Sequence, residues 1–308
     1  MTPEQSDESL SECEESIERL LSHGRPFAAF FSAYYSLRSI NPDLIYKLLC
    51  SILLPGKEQE LRYFLKDYYF QEAFKRLNES GVATLEQMAS LEFAYVDVLG
   101  ETLSSYDGSL LPNLEKYIEL HPEFFIRAVC WVYKRSNDAA EPVELRIPKE
   151  QLSIRVVRGY KLFQSLRTIP GLNDQNGEDG AALWKWVATV RDGCRSYSRE
   201  GMADYTIGEL LAHSPLGKDS VWPCEPVREV IEHFHSEQMV QGTRIGVINM
   251  RGAYLQEEGG AQERELAEKY RGWSDALRIS HPFVSSELLQ GLRRFMSGAL
   301  PERIPMQE

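Results

Sequence analysis

The chain has 308 residues, of which 43% are hydrophobic and 26% charged, with a formal net charge of −12. This is ordinary globular composition, long enough for a large core or for two domains. No apolar run approaches the roughly 18 residues a bilayer span needs, and the acidity opposes non-specific binding to nucleic acid or to anionic membrane.

Residues 1–16 are polar and acidic and read as a flexible N-terminus without the basic and apolar character of a secretory signal. From residue 17 apolar positions recur three and four apart, the helical spacing. "RPFAAFFSAYYSL" and "NPDLIYKLLCSIL" each carry a proline where a helix starts, with Asn41 as N-cap of the second. "KEQELRYFLKDYYFQEAFKRLNESG" reads as one long helix or a bent pair, closed by Gly81. "TLEQMASLEFAYVDVLG" opens with the Thr84/Gln87 spacing of a capping box and runs to Gly100. "LPNLEKYIEL" and "HPEFFIRAVCWVYK" again begin near prolines.

Residues 136–149, "SNDAAEPVELRIPK", hold two prolines and little apolar periodicity, which predicts a connection between an N-terminal helical lobe over 17–135 and a C-terminal lobe over 150–308. The first 140 residues carry 22 acidic and 13 basic side chains, a net of −9, and the remainder 24 and 21, a net of −3. Helices resume with "QLSIRVVRGYKLFQSLRTI", then "AALWKWVATVRDGCRSYS", "DYTIGELLAH", a helix from Pro226, "AQERELAEKYRGWSDALR" and "HPFVSSELLQGLRRFM". "TRIGVINM" is the one strand candidate. The pattern predicts an all-α fold, an array of helical hairpins arranged as a solenoid or a two-lobed bundle. "HPEFF" and "HPFV" echo one another, but no fixed repeat period is present.

"VWPCEPVREVIEHFHSE", residues 221–237, is the most chemical-looking stretch. Val227, Val230, Ile231 and Phe234 form an apolar stripe, with Trp222 as a staple onto Val230. Glu229 and His233 share one face, which Glu237 continues, but HEXXH is absent and a metal needs three or four ligands. Cys224 precedes a helix N-terminus, where a thiolate is stabilised, yet flanking glutamates oppose ionisation. The five cysteines are widely spaced with no CxxC, which favours free thiols in a reducing, cytosolic setting.

"NDQNGEDG" fails the spacing of a calcium loop, and "EEGGAQERE" surrounds its glycines with carboxylates that would repel phosphate. Arg191, Arg195 and Arg199 are spaced by four and predict a row on one helix face, able to receive carboxylates or phosphates in bidentate fashion. Trp184 and Trp186 cannot share a face, so one belongs to the core and the other to a contact surface or to a second packed surface. No GxSxG elbow and no phosphate-binding glycine motif is present.

"VWPCEPVREVIE", "RIGVINMRGAYLQEEGGAQERELAEKYRGWSDALR" and "VCWVYKRSND" resemble the helical C-terminal region of large bacterial multidomain proteins of uncharacterised function. The resemblance implies a bacterial source, a chain that is a fragment or stand-alone relative, and work beside an NTPase, nuclease or DNA-binding module. It implies no catalytic residues.

The expected function is a non-enzymatic interaction or regulatory module presenting a surface to a protein partner, with Arg191, Arg195, Arg199, Glu229 and His233 as partner-binding residues and no catalytic residue, cofactor or metal. One alternative is an enzyme whose site around residues 222–237 forms only in three dimensions. Another is a nucleic-acid-associated component, which would gather Arg155, Arg158, Arg191, Arg195 and Arg199 into one positive stripe.

Overall fold

In the computed structural model, residues 3–53, 67–96, 109–137, 139–172, 180–251 and 261–298 are described. Among them every regular element is a helix, so the fold is all-α. The chain divides into two compact units, residues 1–117 and 118–308.

The first unit begins with α1 (Pro3–Ser22), α2 (Pro26–Ala33) and α3 (Pro42–Leu53). The acidic start is helical rather than frayed. Leu10, Cys13 and Ile17 recur at helical spacing, Ile17 is fully buried, and Glu14 accepts the Asn41 N–H at 2.7 Å. Asn41 caps α3 as its position predicts, its Oδ1 accepting the Asp43 N–H at 2.9 Å. Helices α4 (Asp67–Ser80) and α5 (Leu85–Tyr95) follow. The Thr84/Gln87 capping box is formed in both directions. Residues 57–66 of the long-helix expectation and Gly100 lie outside the described residues. Phe30, Phe70, Phe74 and Tyr95 make the aromatic centre of this core.

Helix α6 (Pro112–Leu120) starts beside Glu92, whose buried carboxylate accepts the Leu114 N–H at 2.7 Å and Asn113 Nδ2 at 2.6 Å. Helix N-termini leave such N–H groups without backbone partners, and an interior carboxylate serves them. Burial pushes the Glu92 carboxyl up to about 7 against the lowering effect of those donors.

The second unit contains α7 (Pro122–Val132), a 3₁₀ turn (Val143–Leu145) and α8 (Lys149–Ser165). The predicted connection 136–149 lies within this unit, so the division falls earlier than the composition suggests. Its residues are tied to one another and to the chain near Arg199. The Ser136 N–H donates to Ser198 O at 2.8 Å, Asn137 Nδ2 to Ser198 Oγ at 2.9 Å, and Arg135 Nη1 to Ala140 O at 2.7 Å. Prolines here shape a pinned excursion rather than a linker.

Helices α9 (Ala181–Ser196), α10 (Glu200–Leu211), α11 (Glu225–Phe234) and α12 (Glu237–Met250) come next. Helix α12 includes the "TRIGVINM" stretch, which is therefore helix and not strand. The reason is Gly242 and Gly246, four apart on one face. With Gly208 of α10 they let two helices approach until backbones touch: a Cβ on Gly246 would stand 2.6 Å from Ala212 Cβ and 2.8 Å from Glu209 O. Small residues at this spacing are a close-packing device. Thr243, fully buried beside them, returns its hydroxyl to Met239 O at 2.9 Å.

The chain closes with α13 (Ala261–Leu277), a π-helical turn (Val284–Leu289) and α14 (Gln290–Met296). Trp222 packs with Tyr270 and Trp273 of α13 and donates its Nε1–H to Ser214 O at 2.9 Å. No described helix is long and apolar enough to cross a membrane.

Candidate functional site

Helix α9 buries Leu183, Trp186, Val187, Val190 and Cys194, an i, i+3, i+4, i+7, i+11 series. That assigns the two tryptophans. Trp186 is core, its ring edge-on to Phe125 and its Nε1–H on Ile118 O at 3.0 Å. Trp184 points out and is 44% exposed.

Helix α11 buries Pro226, Val227, Val230 and Ile231 against the rest of the unit and leaves Glu229 and His233 on its exposed face. It ends at His235, whose left-handed φ of 46° turns the chain into α12. Ser236 then caps α12, its Oγ accepting the Met239 N–H at 3.3 Å.

The exposed faces of α9 and α11 meet around Trp184. Its ring lies 5.7 Å from His233, edge-on, and 6.2 Å from Phe234, nearly parallel. Behind Phe234, at 4.3 Å from the ring centre, stands the Arg191 guanidinium. Arg191 is held there by Asp204 of α10, Nε to Oδ1 at 2.6 Å and Nη2 to Oδ2 at 3.0 Å, a bidentate pair. The result is an ordered stack, cation on ring on ring, with Trp184 as its solvent-facing end.

Trp184, Glu229, Glu232, His233, Ser280 and His281 line an open depression of about 400 Å³. Glu232 is not free to serve a ligand. Its carboxylate accepts the Phe283 N–H at 3.0 Å and the Val284 N–H at 3.1 Å, closing the start of the last helical segment. Ser280 Oγ and His281 Nδ1 are 3.0 Å apart. A Cβ on Gly180 would lie 3.5 Å from Glu229 Oε2, so the N-terminal end of α9 abuts that carboxylate. Among the described residues no three His, Cys, Asp or Glu side chains are placed to hold a metal ion. A second open depression, about 630 Å³, is lined by Ser286, Glu287, Gln290, Arg293, Arg294 and Ser297 and contains none of the residues singled out from sequence.

The arginine row does not form. Helix α9 ends at Ser196, and Ser198 takes a φ of 56°, so Arg199 caps the next helix instead of extending this one. Arg199 is buried, giving Nε to Tyr133 O at 2.7 Å, Nη1 to Tyr197 O at 3.0 Å and Nη2 to the Glu141 carboxylate. Arg195 is exposed and grips Glu200, with Asp192 Oδ1 at 2.7 Å from Nη1. Hydrogen bonding from Arg195 holds the Glu200 carboxyl below its usual range, and the Arg191 charge adds to this. With Arg191 and Arg199 paired inward, the five arginines make no common positive stripe.

Cys224 is buried, between a Ser214 hydroxyl that accepts its N–H at 3.0 Å and donates to its Sγ at 3.3 Å. It is a packed thiol of the α11 N-terminus rather than an offered nucleophile. The calcium-like loop is almost wholly outside the described residues, as are the glycines of "EEGGAQERE".

Ser280 and His281 join the site from some fifty residues away in sequence, and their "HPFV" context suggested only a helix start. Phe234 was legible as apolar stripe but not as the partner of Arg191. No family model matches the sequence, and neither the curated proteins nor the solved structures include a match.

Proposed function

We propose that the chain is a non-enzymatic helical interaction module that presents the α9–α11 face to a protein partner. The observation that carries this reading is Trp184. A large aromatic is 44% exposed, yet its orientation is set by Phe234, His233 and, one layer down, the Arg191–Asp204 pair. Pre-ordered aromatic rings with polar surroundings are the usual energetic centre of protein–protein contacts, because little side-chain entropy remains to be lost on binding. Glu229, His233 and His281 supply the polar rim. The wide cysteine spacing fits a reducing, cytosolic setting, where the partner is an NTPase, nuclease or DNA-binding module.

A photo-crosslinking amino acid at position 233, in the chain expressed in its native host, tests this. One discrete protein adduct is expected, lost on Trp184→Ala with thermal unfolding nearly unchanged. A chain that yields no adduct there, or an adduct indifferent to Trp184, overturns the reading.

A further inference from the structure

The larger of the two open depressions, about 630 Å³, lies where the π-helical turn runs into α14. Its lining residues, Ser286, Glu287, Gln290, Arg293, Arg294 and Ser297, recur three and four apart and so share one face. Val284, Leu288, Leu289, Leu292 and Met296 take the other, buried side. Single π turns inside α-helices are rare and are found mostly at functional sites.

Both arginines of the lining are positioned from within the fold. Gln290 donates Nε2–H to Ser274 Oγ at 2.7 Å, and Ser274 is buried against Ser285, hydroxyl to hydroxyl at 2.9 Å. The Gln290 Oε1 so directed accepts from Arg293 Nη1 at 3.2 Å, and the Gln290 backbone carbonyl accepts from Arg294 Nε at 3.3 Å. Each guanidinium keeps further N–H groups. Among the described residues neither has a carboxylate partner, whereas Arg38, Arg191, Arg195, Arg199 and Arg228 each have one.

A third cation stands beside them. Arg244 of α12 lies over Gly291, where no Cβ would fit, and donates Nη2–H to the Glu287 carbonyl. Its buried Nε has no partner, and the Glu287 carboxylate is 4.0 Å from its Nη2. Burial lowers the Arg244 guanidinium from its usual range; the Glu287 charge opposes this and the Arg294 charge adds to it. Three guanidiniums thus gather around one carboxylate, in a chain of net charge −12. An incoming anion relieves that local excess.

We infer that this depression binds a small soluble phosphomonoester, its dianion held by Arg293 and Arg294. Two guanidinium forks and the Ser286 hydroxyl offer more donors than the two oxygens of one carboxylate can take, whereas a phosphate presents three oxygens and nearly two charges. The volume is that of a small-molecule site. The acidity of the whole chain repels a polyanion or an anionic membrane, which leaves a small ligand as the occupant. The inference stands apart from the Trp184 face.

The test follows the phosphorus NMR line of phenyl phosphate as the full chain is added, at pH 7.5 and constant ionic strength. Saturable broadening is expected, reversed by inorganic phosphate and not by benzoate. Arg293→Gln and Arg294→Gln should each weaken binding about tenfold, the loss of a charge-assisted hydrogen bond. Glu287→Gln, which removes the one carboxylate of the lining, should tighten it about threefold. Arg294 is exposed, so Arg294→Gln carries the test if Arg293→Gln unfolds by circular dichroism. Arg19→Gln, on the surface of the first unit, should change nothing. Four results overturn the proposal: no saturable broadening, equal weakening by Arg19→Gln, displacement by benzoate as readily as by phosphate, or tighter binding, per phosphate group, to an oligonucleotide or a phosphatidate vesicle.

Discussion

Gly242 and Tyr205 are in backbone contact: a Cβ on Gly242 would sit inside the van der Waals envelope of the Tyr205 carbonyl oxygen. That oxygen belongs to helix α10 and cannot retreat without moving the helix. Gly242→Ala should therefore cost about 3 kcal/mol, the upper range for overpacking, and Gly208→Ala, which meets Met239 O, a similar amount. Gly272→Ala is the control. It lies within α13 with open space around it, so it should leave stability unchanged or raise it by about 0.5–1 kcal/mol. Urea unfolding of the three variants decides.

Arg191 and Asp204 are almost wholly withdrawn from water, with 13% and 4% of their side chains exposed. Asp204→Ala would leave the guanidinium only the partly exposed Glu200 carboxylate, 3.2 Å from its Nη2, and should cost about 3 kcal/mol. Arg191→Met together with Asp204→Leu should recover most of that loss, because no charge is left unpaired. The comparison is a denaturant series on the two variants and the parent.

Glu92 and Glu209 both have carboxyls pushed up to about 7, chiefly by burial. The folded chain then holds these protons more tightly than the unfolded one, whose carboxyls titrate near 4.5. Their contribution to stability is complete below about pH 4.5 and is lost as pH rises through about 7. The midpoint of thermal unfolding should fall between pH 5 and pH 8 from this source. Glu92→Gln and Glu209→Gln should each flatten that part of the profile, and the double variant more than either. Calorimetry across that range is the measurement.

Trp184 and Trp186 are two residues apart and should respond very differently to truncation. Trp186→Ala removes a core ring and its hydrogen bond to Ile118 O, which should cost about 3–5 kcal/mol. Trp184→Ala removes ring contacts at the surface and should cost about 1 kcal/mol. Parallel urea titrations separate them.

What was readable from sequence is what local chemistry decides. The Thr84/Gln87 box, Asn41 as a cap, and the prolines at the starts of α2, α3, α6 and α7 all act within one helical turn. The division of labour between Trp184 and Trp186 follows from helical spacing alone. Most of the failures depend on residues far away in the chain, and one on a turn that breaks a helix locally. Helix α12 resembled a strand because apolar residues partly alternate over Thr243–Met250, and the close packing of Gly242 and Gly246 on α10, which favours the helix, is made by residues some thirty-five positions upstream. The arginine row assumed that a helix continues where Ser198 ends it. Glu229 and His233 were legible as one face, but Ser280 and His281, which complete the depression, carried no signal that pointed there.

Arg199 has a consequence for how the chain tolerates damage. Its guanidinium holds the Tyr133 and Tyr197 carbonyls and the Glu141 carboxylate, while Ser198 receives Ser136 and Asn137. The first part of the proline-bearing excursion, from Ser136 through Glu141, is riveted to that one short turn. A protease that opened the backbone between residues 139 and 148 would release no fragment, and the nicked protein would migrate as two pieces in detergent and as one in native buffer. The same anchoring makes this excursion a place where an inserted segment could be carried at little cost to the helices on either side.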